Sequence, residues 1–180
     1  MVIERGSGGA PGGAAGSIIK TGSVTKAVAA AGNYAAEDIL SSDAAAGTAW
    51  TFSAVLGGNG RGGYITKATV STETTGLTQR MRLFIYNAAT TSETNDNAAN
   101  DAVLNADISQ YQGYIDFPAL QDVGGNSEAV VTPSTSGNLP LWVQGASAAD
   151  DLICLLVTRD AITDEVATNE YTIKLSVEAY

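Results

Sequence analysis

The 180-residue chain has no histidine and a single cysteine, Cys154. Without histidine there is no Ser-His-Asp or Cys-His triad, the most frequent general base is missing, and so is the commonest zinc ligand. One cysteine cannot form an intrachain disulfide, and Cys154 sits in the apolar run 152–157 (LICLLV), which suits a buried structural thiol. Positive charge is also scarce: nine Lys and Arg stand against nineteen Asp and Glu, for a net charge of −10. Non-specific nucleic-acid binding and docking on anionic membranes both need clustered cations, so neither nucleic acid nor membrane is expected as a partner. No window approaches the ~20 apolar residues of a membrane-spanning helix, and the N-terminal segment lacks the charged-then-apolar layout of a signal peptide, so use without Sec export is expected.

These absences leave few routes to catalysis. A glycosidase-type carboxylate pair is the main one, and it predicts an open cleft with two acids about 5–10 Å apart; nothing in the spacing of the nineteen acids selects such a pair. The glycine-rich stretch 57–63 (GGNGRGG) is not followed by the Gly-Lys-Ser/Thr of a phosphate-binding loop, and a hairpin loop explains it. Residues 95–101 (NDNAAND) offer oxygen ligands for calcium but lack the glycine and the closing glutamate of an EF-hand; turn formation accounts for the same residues. The expectation is a protein that is not an enzyme, with no catalytic residues, no cofactor and no metal.

What the chain does have is strand-forming sequence. In residues 171–178, Tyr171, Ile173, Leu175 and Val177 alternate with Thr172, Lys174, Ser176 and Glu178, the period-two pattern of a half-buried strand. Residues 80–86 put Met81, Leu83 and Ile85 inward and leave Phe84 and Tyr86 to cover the outer face or meet a neighbour. Further runs lie at 49–55, 63–74 and 139–144; Pro140 cannot donate to a ladder, so the last belongs at an edge or begins just after the proline. Residues 152–157 suit a central strand, and weaker runs fall at 18–21, 37–41 and 113–117. The polar stretch 88–101 is a long loop, followed by a helical turn near 106–109. The expected fold is all-β, an antiparallel β-sandwich with a jelly roll as the leading topology.

Charge and glycine divide the chain. Between Arg82 and Arg159 there is no Lys or Arg, whereas residues 1–82 carry seven basic groups against five acidic ones. The first sixteen residues contain six glycines and cannot build a core of their own. We therefore expect an extended N-terminal arm over residues 1–32, ordered on a partner, and a sandwich domain over 33–180. Ile18, Ile19 and Val24 are the apolar anchors of that arm. Tyr34, Tyr111, Tyr114 and Trp142 are candidate exposed aromatics that could stack on sugars or meet a protein partner.

From about residue 34 onward the order of motifs resembles the capsid cement or decoration proteins of tailed bacteriophages. The pieces are 33–39 (NYAAEDI), 62–68 (GGYITKA), 81–88 (MRLFIYNA), 96–99 (DNAA), 111–117 (YQGYIDF) and 155–160 (LLVTRD). That resemblance implies a non-enzymatic virion protein on the outer surface of the capsid, made in the host cytoplasm. Its partner would be the major capsid protein, gripped through a terminal extension, with the subunit itself a homo-oligomer, dimer or trimer. Ile18, Ile19, Val24, Tyr34 and Trp142 are the expected partner-binding residues. The alternative is a carbohydrate- or receptor-binding module of a phage head fibre or tail.

Overall fold

A computed structural model of the chain describes residues 16–29, 32–135 and 138–180. Thirteen strands are formed among the described residues: β1 (Ile18–Ala27), β2 (Gly32–Tyr34), β3 (Ile39–Leu40), β4 (Trp50–Phe52), β5 (Gly62–Thr72), β6 (Met81–Tyr86), β7 (Tyr111–Phe117), β8 (Gln121–Asp122), β9 (Ser127–Val131), β10 (Leu141–Gln144), β11 (Leu152–Thr158), β12 (Ile162–Glu165) and β13 (Glu170–Ala179). They make two antiparallel sheets that face each other. The larger has the order β1-β13-β5-β9-β8, with β10 also paired to β5; the smaller runs β3-β11-β6-β7, with β4 also on β11. β2 and β12 form a separate two-stranded ribbon.

Side-chain alternation fixes which face each strand buries. In β13, Tyr171, Ile173, Leu175, Val177 and Ala179 are buried, while the residues between them are exposed or partly so. β11 is buried at almost every position because it lies between β6 on one side and β3 and β4 on the other, and is covered on both faces. The inter-sheet core contains Met81, Leu83 and Ile85 from β6, as their alternation predicts, together with Phe52, Ile65, Val70, Cys154 and Leu156. Burial pushes the Cys154 thiol far above its ordinary range, so it is inert at neutral pH.

Phe84 and Tyr86, on the opposite face of β6, join Ile39, Leu155 and Val157 in a second apolar cluster on the outside of the smaller sheet. The segment that follows the long polar stretch packs Ala102 and Val103 against it. Its keystone is Asp107, at the end of a single 3-10 turn (Asn105–Asp107). The buried carboxylate accepts from the Thr90 hydroxyl at 2.6 Å, the Thr91 amide and hydroxyl at 2.9 Å each, and the Ser92 amide and hydroxyl at 3.0 and 2.9 Å. The same stretch closes the β3 edge: the Ile39 amide donates to the Ala98 carbonyl and the Asn97 amide to the Ile39 carbonyl.

Two expectations change. Residues 18–27 do not stand apart from the sandwich: β1 pairs with β13 over ten consecutive residues, from Ile18 opposite Ala179 to Ala27 opposite Glu170. Its alternation of Lys20, Gly22, Val24 and Lys26 with Thr21, Ser23 and Thr25 is that of an edge strand, and Val24 packs on the core. The sheet therefore begins at Ile18 and not after residue 32; residues 1–15 of the expected arm lie outside the described residues. The stretch 57–63 is not a hairpin loop either, since it carries the chain from β4 in the smaller sheet to β5 in the larger. β2, β8, β9 and β12 fall outside the runs that the sequence suggests.

Candidate interaction surface

One row of the larger sheet collects exposed apolar side chains from three strands, with Glu178 of a fourth, β13, among them. Ile19 of β1 stands opposite Glu178 of β13, Glu178 opposite Tyr64 of β5, and Tyr64 opposite Trp142 of β10. Cross-strand partners point to the same face, so these four side chains form a band some ~14 Å wide at a strand spacing of about 4.8 Å. Tyr180 joins the band, its ring edge-on to Tyr64 with centroids 6.3 Å apart, while Trp142 meets Tyr64 from the other side at 5.0 Å. Ile18, opposite the buried Ala179, is exposed on the other face of the sheet and does not belong to the band. Of the eight large hydrophobics exposed among the described residues, five (Ile18, Ile19, Tyr64, Trp142 and Tyr180) gather at this end of one sheet.

Glycine clears the ground for the band. A Cβ at Gly62 would lie 2.4 Å from Trp142 Cζ2, and one at Gly63 would lie 2.6 Å from the Glu178 carbonyl oxygen. The indole is thus laid over bare backbone, which leaves Trp142 held in place yet 45% exposed. The Glu178 carboxylate beside it raises the Tyr180 phenol above its ordinary range. At the far end of β1, Lys26 points inward, donates to the carbonyl and hydroxyl of Thr48, and places its ammonium 5.5 Å from the centre of the Trp50 ring. Desolvation lowers its pKa to about 8. Such inward lysines are a common device for blunting an edge strand.

The expected partner-binding residues separate into two groups. Ile18, Ile19 and Trp142 share the exposed end of the sheet, with Ile19 77% exposed. Val24 is half-buried against the core and Tyr34 is buried, so neither presents an open surface. The Tyr34 hydroxyl donates to Asp96 Oδ2 at 2.9 Å, because a buried phenol needs a partner and the loop supplies one. Tyr111 and Tyr114 are half-buried against the outer cluster. Tyr64 and Tyr180 complete the band; no periodicity within either segment shows that register brings them beside Trp142.

The carboxylates have other duties. Asp96 Oδ1 accepts from the Ser41 amide, Asn95 Oδ1 from the Gly47 amide, Asn100 Oδ1 from the Ala102 amide and Asp101 Oδ1 from the Glu93 amide. These oxygens of the loop 95–101 accept from backbone amides and Asp96 Oδ2 from the Tyr34 hydroxyl, and no group of three or more metal-ligating acids or thiols is found among the described residues. Two shallow clefts lie beside Pro118; Asp116 is the one carboxylate lining the first and Glu128 the one lining the second. Neither holds the pair that glycoside hydrolysis requires. No protein-family model matches the chain, and no curated protein matches it.

Proposed function

We propose that this protein is a structural subunit of a bacteriophage virion. It binds the outer surface of the capsid, stabilises the lattice of the major capsid protein, and docks through the apolar end of its larger sheet. The observation that carries this reading is the gathering of Ile19, Tyr64, Trp142 and Tyr180 on the outer face of the sheet at the end where β1 begins, directly after the glycine-rich segment. A row of exposed aromatic and aliphatic side chains around a rigid frame is the composition of a protein-binding core. The strand order supports a jelly roll: β1-β13-β5-β9 faces β3-β11-β6-β7, with the first strand beside the last and the chain repeatedly crossing between sheets. That architecture is frequent among viral capsid and lectin domains.

A subunit that binds the assembled lattice better than free capsid protein stabilises the shell by mass action, and many copies add their contributions. The sugar-binding alternative is less well served by the same residues. Trp142 and Tyr180 meet Tyr64 at interplanar angles of 66° and 88°, which does not give the coplanar platform that a run of sugar rings would stack on. Capsids purified without the protein provide the test. The native chain should co-sediment with them at saturable occupancy, and the variant Ile19→Ser with Trp142→Ser should lose at least about tenfold in affinity, the scale of a hot-spot aromatic. Undiminished binding by that variant, or glycan binding without capsid binding, would contradict the proposal.

A further inference from the structure

Glu178 is the one charged residue inside the band. It stands opposite Ile19 of β1 on one side and Tyr64 of β5 on the other, and Tyr180 follows it two residues later. The residue is half-buried, and its carboxylate lies close enough to the Tyr180 phenol to raise it above its ordinary range. Among the described residues no cation neutralises it: the ion pairs there join Arg80 to Asp160, Arg82 to Asp116 and Arg159 to Glu37. Lys20, opposite Val177, faces the other side of the sheet. Lys67 shares the outer face but stands opposite Ser176, one row further along.

That position restricts what can cover the band. Ile19 and Tyr64 flank Glu178 at a strand spacing of about 4.8 Å on either side, so a surface that excludes water from both also excludes it from the carboxylate between them. A carboxylate taken out of water without an opposite charge is strongly destabilising. A wholly apolar partner would therefore be held off the centre of the band, and an acidic one would be repelled by a chain of net charge −10. The rings point to the same chemistry. Tyr64 and Tyr180, which border Glu178, cross at 88° with centroids 6.3 Å apart, so aromatic carbon lines the approach to the carboxylate, and the π systems attract positive charge.

Resting on the reading of the band as a docking surface, whichever protein covers it, we infer that the partner places an arginine or lysine side chain at its centre, with the cation on the Glu178 carboxylate and the stem against Ile19 and Tyr64. Glu178 is then the specificity-determining residue of the interface. Ile19, Tyr64, Trp142 and Tyr180 supply apolar area, and the carboxylate decides which apolar surfaces can close over them. Arginine meets the site best, because its planar fork matches a carboxylate and stacks on aromatic rings.

The test uses the full ¹⁵N-labelled chain titrated with the blocked tripeptide Leu-Arg-Leu and with Leu-citrulline-Leu, which keeps the shape and loses the charge. The Arg peptide should shift the Trp142 indole and the amides of Tyr64, Glu178 and Tyr180 in one saturable process. It should bind about tenfold more tightly than the citrulline peptide, the scale of a charged hydrogen bond. Glu178→Gln, which alters charge and not shape, should abolish that preference while keeping the remaining spectrum, and should bind capsids at least about tenfold more weakly than the native chain. Equal binding of the two peptides, a preference retained by Glu178→Gln, shifts spread over the acid-rich stretch 93–151 instead of the band, or no shifts at millimolar peptide would overturn the inference. Capsid binding by Glu178→Gln as tight as the native chain's would overturn it too, and leave the virion reading standing. A native chain that ignores capsids yet prefers the Arg peptide at the band would support it and remove the virion reading alone.

Discussion

At the scale of single residues, the sharpest dependence falls on buried polar groups with one specific job. Burial works against the charge on Asp107, but hydrogen bonds from Thr90, Thr91 and Ser92 outweigh it and hold the carboxyl well below the usual carboxylate range. A group whose folded pKa lies below its unfolded value of about 3.9 contributes its full stability above that value, and loses it as pH falls toward the folded value. Asp107→Asn puts an amide where donors already converge; it should cost about 2–4 kcal/mol at pH 7, or roughly 5–15 °C in melting temperature. The gap between native chain and variant should close as pH drops below about 4, and thermal melts from pH 7 to pH 2 check both size and sign. A gap independent of pH would show that the carboxylate's charge is not what closes the loop. Gly62 is the other such residue: its missing Cβ is what lets the Trp142 indole lie on the sheet.

At the scale of elements, β1 is the case where sequence and structure part. Six glycines before residue 17 suggest a detached arm, and the weak strand pattern after them does not say where detachment ends, since Lys20, Gly22 and Lys26 occupy the inward positions. Edge strands tolerate such residues because only one flank is paired, so hydrophobic alternation fades where pairing is still complete. β13 alternates cleanly and was legible as it stands; in β6 the inward Met81, Leu83 and Ile85 were legible from their spacing, while Phe84 and Tyr86 are buried on the other face under the loop. β8 and β12 are too short for any pattern, and the ribbon of β2 and β12 depends on a long-range pairing that no local window contains. The interaction band was half legible: Ile19 and Trp142 stood out as exposed apolar candidates, but the register that adds Tyr64 and Tyr180 comes only from the sheet. Because β1 covers β13, removing residues 1–27 should destabilise the sandwich by several kcal/mol, on the order of 10 °C in melting temperature. A differential scanning measurement that finds the truncated chain melting with the native one would return β1 to the status of an appendage.

At the scale of the whole molecule, charge and apolar surface are distributed unevenly. Residues 5–36 contain no Asp or Glu, and β1, which lies in that stretch, leads from the exposed apolar band along the edge of the larger sheet. The acid-rich stretch from Glu93 to Asp151 begins in the loop over the outside of the smaller sheet and then runs through β7 into β8, β9 and β10 of the larger. A molecule of net charge −10 can approach another acidic surface only where its own acids are sparse, and the band lies beside such a region. A reconstruction by electron cryomicroscopy of capsids saturated with the native protein bears most directly on the proposed docking. Side chains of Ile19, Tyr64, Trp142 and Tyr180 should lie buried against capsid protein, with the polar loop over the smaller sheet facing solvent. Subunits seated through that loop with the aromatic band open to solvent, or capsids that carry no added density at all, would contradict it.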